Sequence, residues 1–259
     1  MAAESSRSRL DMRHRIAPIP PRLYNEARNR VAALVSILVP VYNESTTVAA
    51  VIRRLLEVPL PAPREILVVN DGSTDGTREV LDGLPAHEAV RIIHAPKNGG
   101  KGRAIRIGLA EARGTIIAIQ DADLELDPAQ LADLVSPILA GEARVVYGSR
   151  FLQPTSQAPL ITVVANRTLT AFTNVLFGAR ITDMETCYKI MQTDVARSLE
   201  LESDRFDIEP EITAKLLRRG HTIVERPVRF EPRSRAQGKK IGWRDGVRAL
   251  QVLVKYRWS

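Results

Sequence analysis

The segment from Thr115 to Pro128, T-I-I-A-I-Q-D-A-D-L-E-L-D-P, constrains the fold more than any other stretch of the chain. Ile116, Ile117, Ala118 and Ile119 are too few for a helix and too uniformly apolar for a strand with one wet face. Such a run fits a central strand of a parallel sheet covered on both sides. Asp121 and Asp123 then leave its carboxyl end, the edge at which open α/β sheets bind ligands. Two carboxylates this close in sequence can both approach one hard divalent cation and its phosphate-bound waters. That arrangement suggests a metal-diphosphate site. An Asp-x-Asp triplet arises by chance roughly once in a chain of this size, so its weight comes from standing between a buried strand and Pro128, which opens a helix.

At 259 residues, 44% hydrophobic and 26% charged, the chain can bury a full core as one large α/β domain or two small ones. The longest apolar run, Val31 to Val41, is broken by Ser36 and Pro40, so no transmembrane segment is expected. The N-terminal sequence lacks the apolar region of a secretory signal, and the single cysteine, Cys187, cannot form an intrachain disulfide. A cytoplasmic protein is expected, with a peripheral position at the inner face of a membrane open to it. The net charge of +7 sits at the two ends: seven arginines from Arg7 to Arg30, and ten Lys or Arg from Arg226 to Arg257. Nucleic acid, an anionic membrane surface and a polyanionic substrate all fit such a pattern. Few aromatics interleave the basic residues and no nucleic-acid-binding motif is present, which argues against the first.

Residues 1–33 read as a flexible basic extension, rich in Arg, Ser and Pro. From Leu34 the chain alternates strand and helix patterns, the signature of a doubly wound, mostly parallel α/β sheet flanked by helices. Strands are expected at Val35 to Val39, Arg64 to Asn70, Val90 to His94, Thr115 to Ile119 and Ala143 to Tyr147, and most end in a polar, Asp-rich, Gly-rich or Arg-rich loop. Residues 34–150 form one half of the reading and residues 151–259 the other. The second half carries helices from Ile161 to Phe177, from Glu209 to Arg219 and from Trp243 to about Tyr256, with a basic loop from Glu231 to Lys240. Ala165, Leu169, Phe172 and Leu176 recur at helical spacing, which favours core packing over a lipid groove.

Four motifs occur in order in the first half: Val39-Pro40-Val41-Tyr42-Asn43-Glu44, Val69-Asn70-Asp71-Gly72-Ser73-Thr74-Asp75-Gly76-Thr77, Lys97-Asn98-Gly99-Gly100-Lys101-Gly102, and Gln120-Asp121-Ala122-Asp123. Together they resemble the nucleotide-sugar half of the family-2 glycosyltransferases, which have the GT-A fold. The resemblance implies base and ribose contacts from Pro40, Tyr42, Glu44 and Asp71, and metal and diphosphate contacts from Asp121 and Asp123. The residue types agree with this. A ribose diol suits carboxylate acceptors such as Glu44 and Asp71, whereas a diphosphate repels carboxylates unless a cation intervenes. For Glu44 the alternative is a helix N-terminal charge interaction, whereas Asp75 reads as a helix cap, since Asp75-Gly76-Thr77 opens a helix. The Gly99-Gly100-Lys101-Gly102 turn is not a Walker A loop, because Ala95 and Gly102 stand where that motif needs Gly and Ser or Thr. Lys101 remains a candidate counter-charge for the donor.

The second half carries Gly148-Ser149-Arg150-Phe151, Asn166-Arg167, Asp183-Met184-Glu185-Thr186-Cys187-Tyr188-Lys189, Phe206-Asp207-Ile208-Glu209-Pro210-Glu211, and Glu225-Arg226-Pro227 followed by Phe230, Arg233, Arg235, Gly238 and Lys239. This order resembles the polyprenyl-phosphate hexose synthases, the dolichyl-phosphate-mannose-synthase-like branch of the family. The resemblance implies that Arg150, Arg167 and Arg233 grip donor and acceptor phosphates, which guanidinium forks suit by bidentate bonding. Arg235 and Lys239 belong to the same basic loop. Glu125 stands where many members carry Gln and adds a third candidate ligand for Mg²⁺ or Mn²⁺ beside Asp121 and Asp123. The reaction implied is inverting transfer of a hexose from a nucleotide-diphosphate sugar to a polyprenyl phosphate, with Asp123, Asp183 and Arg233 as the catalytic candidates. The alternative is a hydroxyl acceptor on a soluble sugar or nucleoside, which needs a base such as Asp183 or Glu185. A sugar nucleotidyltransferase is more distant, since Pro40 to Thr47 contains neither glycine nor a basic residue. Cys187 lacks a nearby His and reads as a buried structural thiol.

Overall fold

The structure is a computed structural model that describes residues 33–153, 159–233 and 243–258. The N-terminal extension, Arg235 and Lys239 therefore lie outside the described residues. Seven strands form one sheet in the order β3-β2-β1-β4-β6-β5-β7. They are β1 (Val35–Val41), β2 (Arg64–Asn70), β3 (Val90–His94), β4 (Ile116–Ile119), β5 (Val145–Ser149), β6 (Lys189–Gln192) and β7 (Val224–Pro227). β1 pairs in parallel with β2 and β4, and β2 with β3, whereas β6 runs antiparallel between β4 and β5. The expected mostly parallel sheet is thus present, with one reversed strand inside it.

The helices are α1 (Val48–Glu57), α2 (Thr77–Asp82), α3 (Lys101–Glu111), α4 (Leu131–Leu139), α5 (Leu160–Phe177), α6 (Thr193–Ser198), α7 (Ile208–Arg218) and α8 (Trp243–Trp258). The helix expected from Pro128 splits into a 3-10 turn, Pro128–Gln130, and α4, with Asp127 accepting from the Ala129 amide at the entry. The six-residue helix α6 carries no periodic signal long enough to announce it in the sequence.

The apolar run of β4 is buried on both faces, and the sheet separates two cores. Ile116 and Ala118 face the layer of α1 and α4, and Ile117 and Ile119 face the layer of α3, α6 and α7. Each buried isoleucine contributes about 1.5–3 kcal/mol, so register is fixed on both sides at once. A third cluster joins α5, α7 and α8 through Leu169, Phe172, Leu176, Ala214, Leu253 and Tyr256. Three of the four stripe residues therefore pack as expected; Ala165, one turn nearer the N-terminus of α5 on the same face, is exposed and outside this cluster.

Among the described residues α5 is long and apolar enough to cross a membrane by length and composition alone, although no continuous apolar run announces it, because Thr, Asn and Arg interrupt the helix without abolishing its apolar average.

Candidate active site

The carboxyl ends of β1, β2 and β4 share one edge, and the sequence motifs form the loops there. After β1, Asn43 takes a positive φ of 54° and its side-chain oxygen accepts from the Thr74 amide, tying the first loop to the second. Asp75 accepts from the Thr77 amide and hydroxyl at the entry of α2, but the N-cap position expected of it is taken by Gly76, whose positive φ of 87° sets the turn. Asp71 is buried, and its carboxylate accepts from the amides of Gly99 and Gly100 at 2.6 to 3.0 Å. Only glycine fits this glycine turn: Gly100 has φ +99°, and a Cβ there would lie 2.4 Å from the Asp204 carbonyl oxygen. Pro40 and Tyr42 are half-buried beside the same edge.

Lys101 opens α3 and does not project freely. Its ammonium lies 2.8 Å from carboxylate oxygens of both Asp121 and Glu209. Glu209 in turn takes the buried Lys189 at 2.6 Å. Burial works against the Lys101 charge, but Asp121 and Glu209 outweigh it and hold its pKa well above the ordinary lysine range. Burial likewise opposes the Glu209 carboxylate, which Lys101 and Lys189 keep ionised. Asp121 thus belongs to a buried chain of alternating charges running beneath the edge.

Asp123 differs. Burial, with Asp121 and Glu125 nearby, pushes its carboxyl up to about 7. Leu124, next to it, adopts φ 62°, a strained left-handed conformation for a non-glycine residue. The cation beside Asp123 comes from the far half of the chain. Leu126 bridges Phe230, and Glu125 accepts from the Glu231 amide through its carbonyl and from the Arg233 amide through its carboxylate, which carries residues 230–233 across the edge. The Arg233 guanidinium then bonds Glu44 at 2.8 and 3.1 Å and Asp123 at 3.3 Å. Among the described residues no three His, Cys, Asp or Glu side chains converge on one point that could hold a metal ion. Asp121, Asp123 and Glu125 neighbour one another, but Lys101, Arg233 and the Arg233 amide divide their oxygens. The donor chemistry fits a hard cation even so: crowded carboxylates, one of them held near neutrality, lose their mutual repulsion when a divalent ion enters.

The arginines expected on phosphates separate into two groups. Arg150 is partly buried and bonds Asp183 through Nε and Nη2, each at 2.7 Å, while its amide also donates to Asp183. Burial opposes the Arg150 charge, but Asp183 more than restores it and raises its pKa above the ordinary value. Asp183 is itself fully buried and committed to this pair. The Arg150 guanidinium also lies over the rings of Phe230 and Phe151, at 5.2 and 5.8 Å. Arg167, exposed on α5, covers Phe151 at 5.4 Å. Phe151 and Phe230 thus hold Arg150 and Arg167 in one patch, and Phe230 stands three residues before Arg233.

No individual role for Glu209, Lys189 or Phe151 is legible in the sequence. The signal available was the unusual charge of the F-D-I-E-P-E stretch, where Glu209 and Glu211 are buried on a helix otherwise packed on the core. Glu185 was weighed only as a base for a hydroxyl acceptor. Burial, with Glu209 and Asp183 near it, pushes its carboxyl up to about 7 against the pull of Lys189 and Arg150, and its Oε1 is buried without a hydrogen-bond partner. Cys187 is buried, and burial drives its thiol pKa well above the ordinary range, as an inert structural thiol requires.

Residues 36–198 match the sequence model of Glycosyl transferase family 2. Low-salt glycan biosynthesis hexosyltransferase Agl6 of Haloferax volcanii is 28% identical over 88% of this chain, which spans 55% of the length of that relative. Undecaprenyl-phosphate mannosyltransferase of Micrococcus luteus is also 28% identical, over 86% of this chain and 92% of its own length. Among solved structures, glucosyl-3-phosphoglycerate synthase of Mycobacterium tuberculosis in complex with UDP superposes with a TM-score of 0.70 over 91% of this chain and 84% of that one, at 20% identity. That likeness is one of fold.

Proposed function

The chain belongs to Glycosyl transferase family 2, and from that premise we propose that it transfers a hexose, with inversion, from a nucleotide-diphosphate sugar to a polyprenyl phosphate. One observation carries the reading: residues 230–233 set Arg233 on Glu44 and Asp123 while Phe230 lies against Arg150. Carboxylates suited to a nucleoside and its metal-bound diphosphate therefore adjoin a cluster of arginines suited to a second phosphate. The named activity of the Micrococcus luteus relative, mannosyl transfer to undecaprenyl phosphate, supports an acceptor of this class.

In this reaction a phosphate oxygen of the acceptor attacks the anomeric carbon, the bond from that carbon to the donor diphosphate breaks, and a nucleoside diphosphate leaves. The attacking oxygen is already anionic at neutral pH, so no strong base is needed. This agrees with Asp183 being consumed by Arg150. Two phosphate groups must nevertheless approach each other. Arg150, Arg167 and Arg233 supply the positive charge that makes this approach favourable, and their planar forks orient the oxygens. Glu44 and Asp71 border the nucleoside side, with Pro40 and Tyr42 beside them and Lys101 holding Asp121 in place. Asp123 and Asp121, with Glu125 adjacent, would hold Mg²⁺ or Mn²⁺, which would supply the positive charge that neutralises the leaving diphosphate; the related fold of the mycobacterial synthase is recorded with Mn²⁺ and UDP.

The test is incubation of the protein with a panel of nucleotide sugars, Mn²⁺ and polyprenyl phosphate, with products read by mass spectrometry. A hexosyl polyprenyl phosphate is expected. Transfer only to hydroxyl acceptors would overturn the reading and direct attention to Glu185 as base.

A further inference from the structure

Helix α5 has two unlike faces. Leu169, Phe172 and Leu176 pack against α7 and α8, while Leu160, Ile161, Val164 and Val175 are exposed, all four above half. Helix α8 repeats the pattern: Leu253 and Tyr256 are buried, but Val247, Leu250, Val254 and Trp258 form an exposed row at helical spacing. The two helices lie side by side, since both enter the same cluster and Arg257 donates to the Leu176 carbonyl at 2.9 Å. Their outward faces are therefore neighbours. Exposed apolar rows on adjacent helices mark an interaction surface.

Resting on the acceptor reading above, we propose that the exposed faces of α5 and α8 seat the protein on an anionic lipid bilayer, with the arginine patch at head-group depth. Charge identifies the occupant. Arg167, Arg248 and Arg257 are exposed along these helices, α5 contains no acid and α8 only Asp245. Apolar side chains flanked by cations suit acyl chains beneath anionic head groups, whereas a second copy of the same face would set like charges against each other. Position agrees. Arg167 is on α5 itself and shares the Phe151 ring with Arg150, so the acceptor-phosphate patch and the apolar face meet on one helix. A polyprenyl chain anchored in the bilayer would deliver its phosphate at that level.

Co-sedimentation with vesicles of phosphatidylcholine, with and without phosphatidylglycerol, tests this using the full chain and neither donor nor acceptor. Wild type should sediment with the anionic vesicles and be released by salt. The pair Ile161→Glu and Val164→Glu, and separately Val254→Glu, should each lower partitioning by about tenfold or more at unchanged melting temperature. The same variants should use a water-soluble short-chain acceptor at the wild-type rate and a vesicle-embedded acceptor poorly. Variants that sediment like wild type would place membrane contact elsewhere in the chain, and a wild-type dimer dissociated by these substitutions would make a second copy the occupant; either overturns the proposal. Vesicle binding without transfer to any lipid phosphate would refute the acceptor reading alone.

Discussion

Arg233 and Glu44 stand 189 positions apart in sequence, yet form a two-pronged contact at 2.8 and 3.1 Å, and the same guanidinium reaches Asp123. This arginine is the cation between the two carboxylates. It thereby joins the two halves of the chain across the site.

Replacing Arg233 separates its two roles. Arg233→Ala should reduce kcat/KM for transfer by about 2–4 kcal/mol in transition-state terms, while Mn²⁺ affinity, measured by calorimetry, stays the same or rises because a competitor for Asp123 is gone. Arg233→Lys should recover only part of the rate, since an ammonium lacks the fork. Parallel loss of rate and metal affinity would make Arg233 a part of the donor site.

Asp123→Asn removes a charge without changing volume. Turnover should fall more than about a hundredfold, in line with the several kcal/mol a metal supplies, and excess EDTA should do the same to the wild type. Full activity in EDTA would exclude the metal role.

The same carboxyl sets a pH dependence. Its folded-state pKa of about 7 lies above the ordinary 3.8. The folded protein therefore holds this proton more tightly than the unfolded chain does. That contribution to stability is complete below the ordinary value and is lost as pH rises through the interval up to about 7. The melting temperature in EDTA should decline across this window, Asp123→Asn should flatten the decline, and Mn²⁺ should restore stability most at its alkaline end. An equal slope in the variant would assign the titration to another group, with Glu185 the first to test.

Arg150 lies in a buried pair, so truncating it leaves Asp183 uncompensated. Arg150→Ala should cost about 3–5 kcal/mol of stability by chemical denaturation, and combining Arg150→Met with Asp183→Leu should recover most of it. Transfer should not recover in the double variant if Arg150 also binds phosphate. Recovery of both would confine Arg150 to a structural role.

Asp71→Ala removes the acceptor for the Gly99 and Gly100 amides. Stability should fall by about 1–3 kcal/mol for the buried donors left unpaired, with weaker nucleoside diphosphate binding as the turn loosens. Loss of binding at unchanged stability would instead indicate direct contact with the nucleoside.

The strands, the ligand-binding edge and the acids and glycines along it were legible in the sequence, because each depends on short-range chemistry. Four apolar residues ending in Asp121 and Asp123 make a buried strand with an acidic exit wherever the chain places it, and Gly100 marks a turn that no other residue fits. The partners of those groups were not legible. Lys101 became a buried counter-ion of Asp121 and Glu209, Asp183 was taken up by Arg150, and Arg233 came to rest on Glu44 and Asp123. The exposed apolar faces of α5 and α8 were equally hidden, since periodicity reveals that a helix has an apolar stripe but not which side the rest of the protein covers. Pairing of charges and covering of faces depend on distances between residues remote in sequence, and those distances exist only once the sheet and its helices have packed.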